Sequence, residues 1–140
     1  MSEKSFPVDL VTPDAQLFGG LADFAAIPAW DGEMGFAYLR APVMVKLGAG
    51  EMRIHLEKDT NIQHFAVQGG FAGTDGSHLV VLASRAARLE AFDAQVLRSQ
   101  LTDLEQRLAE QGLDENERPF LKDELKWLRL VERLVTRRQM

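Results

Sequence analysis

The sequence predicts an α+β protein, with an antiparallel β-sandwich first and an antiparallel two-helix hairpin after it. Three observations carry this. Up to Ala83 the apolar residues come in short runs, some strictly alternating, separated by Gly, Pro and Asp-Gly steps. Beyond about Phe92 that punctuation stops and leucines recur at helical spacing. Glycine nearly vanishes there, with Gly112 the sole one after Gly76. The expected domains are 1–86 for the sandwich and 87–140 for the hairpin, with helices over about 92–111 and 115–138.

The strand signals run in order. Phe6–Thr12 alternates apolar and polar up to a Pro13-Asp14 turn. Gln16-Leu17-Phe18 is short and is expected to end at Gly19-Gly20, and the apolar run Leu21–Ile27 to stop at Pro28. Asp31-Gly32 is a tight-turn step. Pro42–Leu47 is apolar and reads as ending at Gly48-Ala49-Gly50. In Glu51–Glu57, Met52, Ile54 and Leu56 share one face, the period of a half-buried strand. Asn61–Val67 and His78–Ala83 follow, with Gly69, Gly70, Gly73 and Gly76 reading as a glycine-rich loop between them.

In the second unit Leu97, Leu101, Leu104 and Leu108 step by four, three and four, one stripe of a helix. Gly112 suits a left-handed residue after a helix end. Asp114–Glu117 offers N-cap candidates, and Pro119 fits only the first turn of the next helix. Leu121, Leu125, Leu128, Val131 and Val135 make the second stripe, flanked by Phe120, Trp127 and Leu134. Both stripes read as hairpin packing, and Trp127 as core.

Composition narrows the function. The 140 residues carry a net charge of −5, which argues against a whole-surface nucleic-acid binder. All of that charge sits in the first unit: five basic against ten acidic residues up to Ser84, and eleven of each from Arg85 onward. Cysteine is absent, which excludes disulfides and thiolate chemistry. No secretory signal is visible, and no apolar stretch is long enough to span a bilayer, so direct membrane insertion is not expected.

Catalytic and metal-ligating candidates are missing. His55, His64 and His78 lie in separate expected strands and read as strand or surface histidines. The glycine-rich loop has no Lys-Ser/Thr after it and no helix behind it, so it reads as a turn and not a phosphate cradle. Asp31 and Glu33 are paired carboxylates on a turn and, from the residues alone, read as a solvated loop. Lys126, Arg129, Arg133 and Arg137 fall along one helix face with Arg138 beside them, against the single acid Glu132. They suit a helix C-terminus or a dock for an acidic partner. A stand-alone adaptor and a small β-sandwich ligand binder both remain open on these residues.

The order of motifs nevertheless resembles the epsilon subunit of the bacterial F-type ATP synthase, over nearly the whole chain. The resemblance rests on Val8–Pro13 with Leu17-Phe18-Gly19-Gly20, then Asp31–Phe36, Ala41–Met44, Gly50–Ile54, Val67–Phe71 and Val80–Ala83, and last Leu128–Leu134 running on to Arg137–Met140. It implies a non-catalytic subunit of the central stalk, peripheral on the cytoplasmic face of the bacterial inner membrane, with no cofactor. It implies contact of the sandwich with the gamma subunit and the c-ring, with Asp31 and Glu33 at the c-ring. It also implies a helical domain that folds on the sandwich or extends toward the alpha and beta subunits to restrain ATP hydrolysis, with the basic terminal helix meeting an acidic region of beta. Two positions depart from the family pattern. Leu39-Arg40 stand where Gly-His is usual before Ala41-Pro42, in a loop expected near the c-ring side. Val96 replaces the arginine of the ATP-binding motif in Phe92–Leu97, and Arg98 comes two positions later, so nucleotide binding is not expected.

Overall fold

A computed structural model describes residues 4–138. The chain divides into two compact units between Arg88 and Leu89. The first is a single eight-stranded sheet closed around one apolar core. Its strands are β1 (Phe6–Val11), β2 (Gln16–Ala22), β3 (Phe24–Ala29), β4 (Gly32–Phe36), β5 (Val43–Lys46), β6 (Ala49–Leu56), β7 (Asn61–Thr74) and β8 (Leu79–Arg88). They lie in the order β2-β1-β8-β7-β6-β3-β4, with β5 also on β7. Every pair is antiparallel except β1 with β8, which is parallel.

The glycines do not end strands where the sequence suggested. β2 runs through Gly19-Gly20, β3 includes Pro28, and β6 starts inside Gly48–Gly50. The expected glycine-rich loop is mostly strand: β7 continues through Gly69, Gly70 and Gly73, and only Asp75-Gly76 belongs to the turn. Its first part pairs with β6 and its last with β5, while β8 follows it on the other side.

These glycines make a corner. On β7, Phe65 and Val67 point into the core before Gly69-Gly70, and Ala72 does so after. The inward positions change from odd to even. The β5–β6 stretch changes the same way, from Val45 and Leu47 to Met52 and Ile54, and β8 from Val81 and Ala83 to Ala86. The three changes align, because Leu47 N–H donates to the Gly70 carbonyl, Gly69 N–H donates to the Gly48 carbonyl, and Gly70 pairs with Ala83. A line across β8, β7 and the β5–β6 junction therefore turns the sheet back on itself. Gly70 has φ +111, and a Cβ there would lie 2.1 Å from the Leu82 carbonyl oxygen. Only glycine fits.

Around the corner the local chemistry is satisfied. Arg88 donates to Gln63 Oε1 and to the Leu17 carbonyl, both at 2.6 Å, and lies over the Phe65 ring, so one side chain ties β8 to β7 and β2. At the β7–β8 turn the Ser77 amide, then its hydroxyl and the His78 amide, hold the Asp75 carboxyl below its ordinary pKa.

The second unit holds a short 3-10 turn (Leu89–Ala91) and two helices, α1 (Ala94–Ala109) and α2 (Arg118–Arg138). Asp93 caps α1 by accepting from the Gln95 and Val96 amides at 2.8 and 3.3 Å. Gly112 takes φ +86 in the connection, and Pro119 is the second residue of α2, where a missing amide proton costs nothing.

We expect Gly70→Ala to cost about 2 kcal/mol or more, through backbone strain and collision with the Leu82 carbonyl. Gly112→Ala, whose Cβ meets nothing within 4 Å, bears only the strain and should cost less. Denaturant unfolding of the two variants measures the difference.

Candidate functional site

Asp31 and Glu33 lie where the turn signal put them. β3 and β4 form a hairpin whose Ala29 and Gly32 pair, leaving Trp30 and Asp31 as its two-residue tip. Asp31 is exposed, and Trp30 beside it is 69% exposed. Glu33 is also exposed but not a lone solvated carboxylate. Its Oε1 accepts from Arg53 Nη2 at 2.7 Å, a link that reaches across β3 to β6. Arg53 Nε is 3.9 Å from Glu51 Oε1, and Glu51 Oε2 is 3.2 Å from His64 Nδ1. A chain of polar contacts, Glu33–Arg53–Glu51–His64, therefore runs from the edge strand β4 inward to β7.

The histidines have carboxylate partners that the sequence reading missed. His55 meets Asp59 at 2.8 Å, His64 meets Glu51, and His78 Nε2 meets Asp9 at 2.7 Å. Two of these partners come from other strands, so linear spacing could not reveal them. They remain separate pairs. Among the described residues no three His, Cys, Asp or Glu side chains gather where a metal could sit.

A second surface was not anticipated. On the outer face of β5, β7 and β8, Met44, Phe71 and Leu82 are 78%, 56% and 55% exposed. Phe71 pairs with Leu82, and Met44 pairs with Gly73, whose missing side chain leaves a shallow groove walled by Val80 and Pro42. The signal was in the sequence. Val43-Met44-Val45 and Leu79–Ala83 are continuous apolar runs, not alternating ones, and such runs mark strands covered on both faces. The Leu39-Arg40 loop lies at the end of β4 opposite Asp31. The Arg40 carbonyl borders Gly76, next to this apolar face and away from the acidic tip.

In the helical unit burial is graded. Of the α1 stripe only Leu97 is buried, while Leu101, Leu104 and Leu108 are half-buried. Of the α2 stripe Leu121 and Leu125 are half-buried, and Leu128, Val131 and Val135 are buried. Trp127, Leu130 and Leu134 form a second buried ridge beside them, so the apolar arc of α2 is wider than one stripe. Phe120, expected to flank the stripe, is 77% exposed.

The cations Lys126, Arg129, Arg133, Arg137 and Arg138 are all exposed, as a face should be. Arg129 is 3.8 Å from Glu105 of α1, and Glu132 is 3.5 Å from Arg98. The two helices thus exchange ion pairs reciprocally, and Arg129 is engaged inside the hairpin. Val96 is exposed in the first turn of α1, and the Asp93 carboxylate beside it is occupied by capping.

Fold and surfaces together define a two-unit protein, a β-sandwich followed by a helical pair, with one acidic and one apolar surface exposed on the sandwich. The family model of the ATP synthase delta/epsilon chain β-sandwich domain matches residues 5–89. The ATP synthase epsilon chain of Lactobacillus gasseri is 31% identical over 137 residues, 96% of this chain and 94% of that one. That of Desulforamulus reducens is 33% identical over 109 residues, 78% of this chain and 81% of its own. A chain of the Euglena gracilis mitochondrial ATP synthase, solved with OSCP, F1 and the c-ring, aligns with TM-score 0.73 at 20% identity over 94% of this chain and 81% of that one. One from the central stalk and c-ring of the Tetrahymena thermophila mitochondrial enzyme aligns at 0.57 and 13% identity, over 96% and 99%. The last two are likenesses of fold. The chain belongs to the family of F-type ATP synthase epsilon subunits, non-catalytic parts of that complex. No helix among the described residues is long and apolar enough to cross a membrane.

We expect Leu134→Ala to destabilise the helical unit by about 2–4 kcal/mol and Leu108→Ala by about 1 kcal/mol or less, because the first leaves a buried cavity and the second a half-exposed one. Hydrogen-exchange protection of α2 in the two variants reads the gradient.

Proposed function

We propose that this chain joins the gamma subunit to the c-ring in the central stalk, and that its helical unit regulates ATP hydrolysis. The observation that carries the first part is the apolar outer face at Met44, Phe71 and Leu82. A sheet face of this kind is costly in water and fits a permanent partner. Gamma is the partner assigned to it. The acidic tip at Asp31 and Glu33 is assigned to polar loops of the c-ring, and the Arg53 link holds Glu33 in place for them. With gamma on one surface and the ring on the other, the sandwich carries torque between them. The setting is the cytoplasmic face of the bacterial inner membrane, with the chain peripheral to it.

The regulatory part follows from the burial of α2. Extending the hairpin toward alpha and beta would expose Trp127, Leu128, Leu130, Val131, Leu134 and Val135. At about 1.5–3 kcal/mol for each, that loss is on the order of 10 kcal/mol. Extension therefore requires surfaces of gamma, alpha and beta that rebury this arc, and the balance follows their differential affinity for the two states. The reciprocal pairs Arg129–Glu105 and Arg98–Glu132 must also part. That would release Arg129 to join Lys126, Arg133, Arg137 and Arg138 against an acidic region of beta.

The test is a complex assembled with a chain ending at Ala91. The expected outcome is retained binding to gamma, since the docking face lies in the first unit, with faster ATP hydrolysis than the complex holding the intact chain. Equal hydrolysis rates would refute the regulatory role.

A further inference from the structure

Leu39 is the one apolar side chain among the described residues on a left-handed backbone, with φ 60°. The other non-glycine cases, Glu57, Lys58 and Asp59, are polar residues of the β6–β7 turn. Leu39 is the third residue of a turn closed by the Arg40 amide on the Ala37 carbonyl at 3.2 Å. A turn with positive φ at its third position takes glycine without steric cost. A leucine there is strained, because its Cβ crowds the backbone. Its side chain gains little within the fold, being 69% exposed.

Nor is the loop slack. The Arg40 guanidinium lies 5.0 Å over the Phe36 ring, and its Nε donates to the Gly35 carbonyl at 3.2 Å. That anchor leaves Leu39 fixed and facing out. The loop also adjoins the apolar face: a Cβ on Gly76 would lie 3.3 Å from the Arg40 carbonyl and 4.0 Å from the Pro42 ring, and Pro42 and Asp75 line the groove beside Met44.

We propose that Leu39 is a partner-recognition residue, an apolar knob that extends the Met44–Phe71–Leu82 face into an apolar pocket of the subunit covering it. The proposal rests on the reading above that gamma covers this face. The strain is the same in the free and bound chains, so it does not oppose binding. Its structural consequence is a side chain whose backbone is already fixed before the encounter, which lowers the entropy lost on association. An exposed, strained leucine does nothing for the isolated sandwich, and a covered one explains both features at once.

The test measures affinity of the full-length chain for purified gamma subunit, with thermal unfolding of each variant alongside. Leu39→Asn keeps a residue that tolerates the left-handed conformation but removes the apolar knob. It should leave the unfolding midpoint unchanged or raise it, and weaken binding about tenfold or more. Leu39→Met, still apolar, should bind within about threefold of the unaltered chain. Leu39→Asn binding as tightly as the unaltered chain overturns the proposal, and a clear fall in its unfolding midpoint overturns the strain argument. Leu82→Asp separates the two readings. If it weakens binding while Leu39→Asn does not, the docking face stands and Leu39 is not part of it. If neither weakens binding, the docking face itself is wrong.

Discussion

The constraint on which the rest of the sandwich depends is the corner at Leu47-Gly48, Gly69-Gly70 and Ala83-Ser84. β7, β8 and the β5–β6 stretch reverse their inward faces along one line, and the backbone of Gly70 closes on the Leu82 carbonyl so tightly that no side chain fits. Because the sheet turns there, β7 serves both of its halves, and Phe65 and Ala72 reach the same core from opposite sides of the line. The corner also fixes what is left outside. Once Val43, Val45, Ala72, Leu79 and Val81 point inward, the alternation of the pleat puts Met44, Phe71, Val80 and Leu82 on the outer face. The apolar outer face is thus a consequence of the same geometry that closes the core.

The two surfaces of the first unit differ in the kind of recognition they support. The acidic tip is polar and organised by charge, with Arg53 gripping Glu33 and Glu51 bridging to His64. The exposed Arg53–Glu33 pair contributes little stability but fixes direction, and the Glu51–His64 pair behind it is partly buried. The apolar face supplies area. An arrangement with affinity on one side and orientation on the other suits a part that must hold its place between two partners while force passes through it. The helical unit has a different economy. Its ion pairs are exposed and weak, and its buried arc is concentrated toward the C-terminal half of α2, so the end at the α1–α2 connection is the easier one to open.

Much of this was legible in the sequence where local rules decide. The alternation of Met52, Ile54 and Leu56, the Asp31-Gly32 turn, Pro119 in the first turn of α2 and the leucine spacing of α1 all depend on neighbours in the chain. What failed was the reading of glycine as punctuation. Gly69 and Gly70 are where they are because another strand approaches, and an approach across sequence leaves no mark beyond the glycine itself. The carboxylate partners of His64 and His78, and the Arg53–Glu33 link, were hidden for the same reason. The apolar face was legible in principle, since Leu79–Ala83 runs without alternation. Its meaning, however, depends on knowing that Met44, Phe71 and Leu82 are exposed once the strands have paired.

Whether a partner subunit covers the face bearing Met44 can be read by oxidation footprinting of the methionines. In the chain alone Met44, 78% exposed, should oxidise rapidly, and Met52, 0% exposed, slowly. In the assembled complex Met44 should become nearly as protected as Met52. Equal oxidation of Met44 in the chain alone and in the complex would contradict it.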